Sequence, residues 1–157
     1  DMDGWTSGAI LQKKYPGCNL IGYDYGEPFP DIPQGTEYII IVDVCMAPSD
    51  MRKLASIGKM GLTYIDHHHS SIKKIEEDIT SKKIYNIGRR YNKDGEKLAA
   101  CELTWQWCYP HIPIPLYVEL IGSADAARDT TRSPCLDSGW IIVAVPLASF
   151  LETKIQA

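Results

Sequence analysis

The chain has no CxxC motif and no two close ligand pairs of the kind a structural zinc site uses, which excludes a zinc-finger or zinc-ribbon module. Its five cysteines (Cys18, Cys45, Cys101, Cys108 and Cys135) are odd in number and sit among apolar residues. They read as buried free thiols, as expected in a reducing, cytoplasmic setting. No apolar run approaches the roughly 20 residues a membrane helix requires, and no signal peptide opens the chain. Positive charge is not in excess either: 16 Lys and Arg against 20 Asp and Glu leave a net charge of −4. Nothing draws nucleic acid globally, so a phosphate-rich partner would need a local patch or bound cations. Internal repeats, low-complexity tracts and an initiator methionine are also missing, and Asp1 already belongs to a motif, so the N-terminus reads as clipped.

What is present is an ordinary globular composition, 45% hydrophobic and 23% charged over 157 residues, enough for one domain with a real core. Short β-branched runs alternate with helical patterns. Residues Asn19–Tyr23, Tyr38–Val42 and Leu62–Ile65 read as strands buried on both faces. Helices are expected over Thr6–Tyr15, capped by Thr6 or Ser7 and stopped by Pro16-Gly17, and over Ser49–Ile57, capped by Ser49. A third helix is expected over Ser71–Asp78, and an extended segment over Lys82–Lys97 with a turn at Asn92–Gly95. Helices over Ala99–Tyr109 and Leu116–Ala127, joined by a Pro-rich hinge, come next, with a last strand at Trp140–Val145 and a terminal helix at Leu147–Ile155. The alternation predicts an α/β fold, a mainly parallel sheet flanked by helices, with its site at the carboxyl ends of the strands.

Three acidic motifs stand where such a site would form. Asp1-Met2-Asp3-Gly4 precedes the first helix, Asp43 follows the strand YIIIV, and Asp66-His67-His68 follows LTYI. Each has an ordinary reading on its own: Asp and Gly make turns, Asp caps helices, and loop histidines are usually solvated. Their joint placement at successive strand ends favours a site. Carboxylates with imidazole and no thiolate suit Mn²⁺, Mg²⁺ or Co²⁺, and two such ions suit hydrolysis at phosphorus. An EF-hand is excluded, because Thr6 and Gln12 stand where that loop needs Gly and Glu. A haloacid-dehalogenase signature also begins Asp-x-Asp-Gly, but Trp5-Thr6 breaks its pattern and Asp66-His67-His68 would go unexplained.

Taken together, Asp1-Met2-Asp3-Gly4 with Ser7-Gly8-Ala9, then Asp43, then Asp66-His67-His68, resemble the first three motifs of the DHH superfamily of phosphoesterases. Gly122-Ser123-Ala124-Asp125 resembles the fourth, with Asp129 the competing aspartate, and Ala100–Trp105 resembles the intervening helix of small members. The resemblance spans Asp1 to about Asp129. It implies one catalytic domain over residues 1–157, lacking the family's upstream histidine and its separate C-terminal substrate domain, with residues 131–157 outside the family pattern. By position it implies that Asp1 and Asp43 hold one Mn²⁺, and that Asp3, Asp43, His67 and Asp125 hold the other. His68 would face the substrate phosphate, and Asp66 would orient a histidine. The implied activity is hydrolysis of a phosphodiester, phosphomonoester or phosphoanhydride by metal-activated water. The implied partner is a phosphate-ester small molecule, a nucleotide or a short single-stranded oligonucleotide, with no membrane and with a homo-oligomer allowed. The alternative is a metal- or nucleotide-binding module without catalysis.

Further candidates are weaker. A basic stretch from Lys73 to Lys97 is interleaved with acids and reads mainly as a solvated surface, with Arg89 and Arg90 as the pair suited to phosphate. Arg128 and Arg132 lie near the fourth motif and suit a bidentate phosphate grip as well as they suit solvent. Trp105 reads as core, and His69 reads as a surface imidazole.

Overall fold

The structure is a computed structural model that describes residues 2–88, 90–128 and 140–146. Eleven elements follow one another along the described chain. They are α1 (Met2–Lys14), β1 (Asn19–Tyr23), β2 (Thr36–Val42), α2 (Pro48–Ile57), β3 (Leu62–Ile65), α3 (His69–Lys74), α4 (Glu76–Thr80), β4 (Tyr85–Ile87), α5 (Ala100–Cys108), α6 (Leu116–Arg128) and β5 (Trp140–Pro146). The strands form one sheet in the order β1-β5-β2-β3-β4.

β2 shows why the sheet takes a helix layer on each face. Successive side chains of a strand point to opposite sides, and every residue from Ile39 to Val42 is fully buried. Ile40 and Val42 join Ile10, Leu11, Leu103 and Val118 on the face covered by α1, α5 and α6. Ile39 and Ile41 join Met51, Leu54, Tyr64 and Ile75 on the face covered by α2, α3 and α4. A strand buried on both sides reads as a continuous apolar run.

The fold is therefore α/β, but the sheet is mixed. β2 pairs parallel with β3, and β3 with β4, whereas β5 runs antiparallel between β1 and β2. The run WIIVAVP announces a strand whichever way it points, so its apolar pattern carries no direction. β1 also departs from the expectation of full burial: it is an edge strand with Asn19 and Gly22 exposed and Leu20 and Ile21 half-buried.

Helix starts differ in the same informative way. α1 begins at Met2, not at Thr6, with Asp3 in its first turn. α2 begins at Pro48 rather than under a Ser49 cap; Pro48 fills a first-turn position that needs no N–H, and Asp50 sits in the first turn. The single helix expected over Ser71–Asp78 is two short ones, α3 and α4, broken at Ile75, which is buried in the core. The turn at Asn92–Gly95 is present, tied by the Asn92 N–H to the Glu96 carbonyl at 2.8 Å. The terminal helix expected over Leu147–Ile155 lies outside the described residues. Among the described residues no helix is long and apolar enough to cross a membrane.

Candidate metal centre

Adjacent parallel strands deliver the second and third motifs to one place. The Asp43 N–H donates to the Ile65 carbonyl at 3.0 Å, and the Asp66 N–H donates to the Ile87 carbonyl at 3.3 Å, so the ladder fixes both aspartates just beyond the strand ends. Asp43 sits at φ 59°, in the left-handed region that Asp and Asn tolerate better than other side chains. That turn directs its carboxylate inward, where it is buried.

Asp3 arrives from α1. Its Oδ2 accepts the Ala100 N–H at 2.9 Å and its Oδ1 accepts the Cys101 N–H at 2.6 Å. A carboxylate from the far end of the chain thus answers the open amides that begin α5. Asp125 arrives on α6, half-buried. His67, fully buried, lies between them: its Nε2 is 3.4 Å from Asp125 Oδ2, 3.5 Å from Asp43 Oδ1 and 4.0 Å from Asp3 Oδ2.

These separations are longer than the 2.7–3.2 Å of a good N–H···O hydrogen bond. The two shorter ones are close to the scale of ligands sharing one cation, because bonds of about 2.1 Å at 90–109° place neighbouring ligand atoms about 3.0–3.4 Å apart; the separation from Asp3 is wider. Asp43 Oδ1 is buried and accepts no hydrogen bond among the described residues. Asp3, His67 and Asp125 form one potential ligand group, and Asp43, Asp66, His67 and His68 form another that shares His67.

The electrostatics follow from the crowding. Burial, and then the Asp125 charge, push the Asp3 carboxyl up to about 6, although the Cys101 and Ala100 hydrogen bonds pull the other way. Burial and the charges of Asp3, Asp66 and Asp125 raise Asp43 well above the ordinary carboxylate value. Asp66 goes the other way. Burial alone would raise it, but hydrogen bonds from the His68 side chain, the Tyr64 hydroxyl and the His68 N–H hold it below the usual range. Its Oδ1 meets His68 Nδ1 at 2.8 Å and the His68 N–H at 3.0 Å, and its Oδ2 accepts from the Tyr64 hydroxyl. With Nδ1 so engaged, the His68 ring, 42% exposed, turns its other nitrogen away from Asp66. The His67 and His68 rings meet edge-on with centroids 4.1 Å apart.

The structure thus brings together Asp3, Asp43, Asp66, His67, His68 and Asp125. Asp1, Arg89, Asp129 and Arg132 lie outside the described residues, as does the side chain of Arg128, the last residue of α6. Arg90 is exposed beyond β4, and His69 is exposed at the start of α3. Trp105 is buried, as expected of a core residue. The four described cysteines are free and buried. Burial pushes the Cys108 thiol up to about 12 and raises Cys18, Cys45 and Cys101 as well, so none is a thiolate nucleophile near neutral pH.

Sequence reasoning alone misses two residues. Tyr64 lies two positions before Asp66 on a strand, and the period of two puts both on one side; that spacing is the signal that could find it. Glu102 is the other: its Oε2 accepts the Ala99 N–H at 2.9 Å at the start of α5. Glu102 also explains Gly122, since a Cβ there would collide with Glu102 Oε2 and lie 2.8 Å from its Cγ. Gly122 lets α6 approach α5 closely enough to carry Asp125 inward. In Gly122→Ala the gain in helix propensity, about 1 kcal/mol, is outweighed by overpacking of about 1–3 kcal/mol and by disturbance of the α5 start, about 1 kcal/mol. A net destabilisation of about 1–3 kcal/mol is expected in urea unfolding, and an unchanged midpoint would show that the helices separate freely.

Comparison of the chain with family models, curated proteins and solved structures gives no match in any of the three.

Proposed function

We propose that the chain is a metal-dependent phosphoesterase, with Asp3, Asp43, His67 and Asp125 holding one divalent cation and Asp43 shared with a second that Asp1 helps to hold. Mn²⁺ fits the mixed carboxylate and imidazole donors best, with Mg²⁺ or Co²⁺ as substitutes. The observation that carries this reading is the buried Asp43 oxygen facing His67 at 3.5 Å within a ring of further carboxylates. Buried like charges are tolerated when a cation neutralises them, and are otherwise strongly unfavourable. When bound, such a metal pair supplies Lewis acidity and an acidified water for attack on phosphorus.

The residues of the chain divide the remaining work. Asp3 is fixed by the α5 amides, so its carboxylate is set in place before any ligand arrives. Asp66, held by Tyr64, fixes the ring of His68, whose other nitrogen would contact a substrate phosphoryl oxygen. The motifs and their convergence support membership of the DHH superfamily, and a nucleotide or short oligonucleotide is the substrate class that resemblance favours.

Calorimetric titration with Mn²⁺ near neutral pH tests the reading, followed by incubation with a short 5′-phosphorylated oligonucleotide, a nucleoside monophosphate and pyrophosphate. Two ions per chain and release of product from one of the three are expected. Binding without turnover would turn the reading to a metal- or nucleotide-binding module. Absence of Mn²⁺ binding would remove Asp3, Asp43, His67 and Asp125 as ligands.

A further inference from the structure

Beside the cluster, the edge strand β4 and the start of α3 border a shallow, open groove of about 380 Å³, lined among others by His69, Ile72, Asn86, Gly88 and Arg90. Its position ties it to the centre. Gly88 follows Ile87, whose carbonyl accepts the Asp66 N–H, and His69 follows His68. Asn86 donates its Nδ2 to the Tyr64 carbonyl at 3.2 Å, and Tyr64 in turn donates its hydroxyl to Asp66.

The lining differs from that of the other surface depression in the one property that decides an anion site. Arg52, Lys73 and Lys74 share that second depression with Glu76, Glu77 and Asp78, and the Arg52 guanidinium is already held by Asp78 at 3.0 Å. No carboxylate among the described residues lines the groove beside β4. Arg90 forms no ion pair among the described residues, and its segment is anchored by the Leu98 N–H donating to the Arg90 carbonyl at 3.0 Å. A Cβ at Gly88 would lie 2.7 Å from Asn86 Oδ1, so any side chain there would push against the Asn86 amide.

We propose that this groove is a subsite for a second phosphate group of the substrate, next to the one reacting at the cluster, gripped by the Arg90 guanidinium with His69 at its wall. The inference rests on the phosphoesterase reading of the cluster and narrows its substrate to a molecule carrying two neighbouring phosphates. That pair is the successive phosphates of a short oligonucleotide or the two phosphoryl groups of pyrophosphate; the chemistry recognised is the same.

The first test needs no activity. Metal-free ¹⁵N-labelled protein is titrated with inorganic phosphate, and the amides of His69, Asn86, Gly88 and Arg90 are followed. Saturable shifts at these positions are expected, with affinity reduced at least about tenfold in Arg90→Ala and likewise reduced in Gly88→Ala, which displaces the Asn86 amide in the lining without changing charge. Shifts that fail to saturate, or that both variants leave unchanged, overturn the proposal. A parallel Mn²⁺ titration separates the two readings. Broadening at Asp43 and His67 without phosphate shifts in the groove sinks the subsite alone, whereas phosphate shifts without broadening sink the cluster reading. In the Mn²⁺-loaded protein, a KM for pApA at least about tenfold below that for ApA, with the gap closed by Arg90→Ala, identifies the oligonucleotide source. A rise in KM confined to pyrophosphate identifies the other, and a variant with unchanged KM for both overturns the subsite.

Discussion

Asp43→Asn is expected to move two measurements in opposite directions: Mn²⁺ binding collapses while the metal-free protein becomes more stable. Asn is the right replacement because position 43 sits at φ 59°, which Asn tolerates; most other side chains would add about 1–2 kcal/mol of backbone strain. Changes to residues that merely orient a ligand already weaken metal sites roughly 10–100-fold, so loss of the ligand proposed to be shared by two ions is expected to exceed about 100-fold in calorimetry. The stability gain follows from the charges. Burial and then Asp3, Asp66 and Asp125 raise the Asp43 carboxyl in the native state. A raised native value means that the folded protein binds protons more tightly than the unfolded chain, so stability is lost as pH rises through that value. In EDTA the wild type bears this penalty at pH values above the native Asp43 value and the variant does not. The gap in melting temperature therefore narrows as pH falls from the alkaline side towards the ordinary carboxylate range, and Asp3, with its value near 6, takes up its own proton over the same descent. Each kcal/mol of the gap reads as about 2–4 °C in a chain of this size. Equal melting temperatures throughout that range would show that the carboxylates are not crowded in solution.

Much of this centre is legible in the amino-acid sequence, for reasons that can be named residue by residue. Ile39 to Val42 announce a doubly buried strand, and a doubly buried strand in a sheet flanked by helices ends at a crevice. Asp43 and Asp66 are placed by that rule alone. Asp125 is placed only by resemblance, because nothing in the local pattern says that α6 lies against α5; that depends on Gly122 meeting Glu102, a contact across 20 residues that periodicity does not encode. Asp3 is half legible. Its motif is visible, but its hold on the α5 amides joins residues 97 and 98 positions apart. The direction of β5 is not legible at all, since pairing with β1 and β2 is decided by how the chain returns to the sheet and not by the apolar run itself. Helix starts are poorly marked by hydroxyl caps in this chain, because proline and acidic first turns serve equally well at α1 and α2.

The second large effect is expected from Tyr64→Phe, a change of one oxygen atom at a fully buried position. Burial and the adjacent Asp66 charge raise the Tyr64 phenol well above its ordinary value, so it remains a hydroxyl and donates to Asp66 Oδ2. Removing it leaves a buried ionised carboxylate short of one donor, a loss of about 1.5–3 kcal/mol for a hydrogen bond to a charged group. The pH dependence has the opposite sign to that of Asp43. Asp66 is held below its ordinary value, so its contribution is present above the unfolded carboxylate value and disappears as pH falls through the native one. The wild type and Tyr64→Phe should therefore differ most near neutral pH and converge in acid. Combining Tyr64→Phe with Asp66→Asn completes the test, since two residues that share one hydrogen bond should show a coupling of about 0.5–3 kcal/mol. Coupling near zero would mean that the tyrosine merely fills space. Coupling in that range would make Tyr64 the foundation of the chain that runs through Asp66 to the His68 ring, and the same variant should then lower turnover while leaving Mn²⁺ stoichiometry intact.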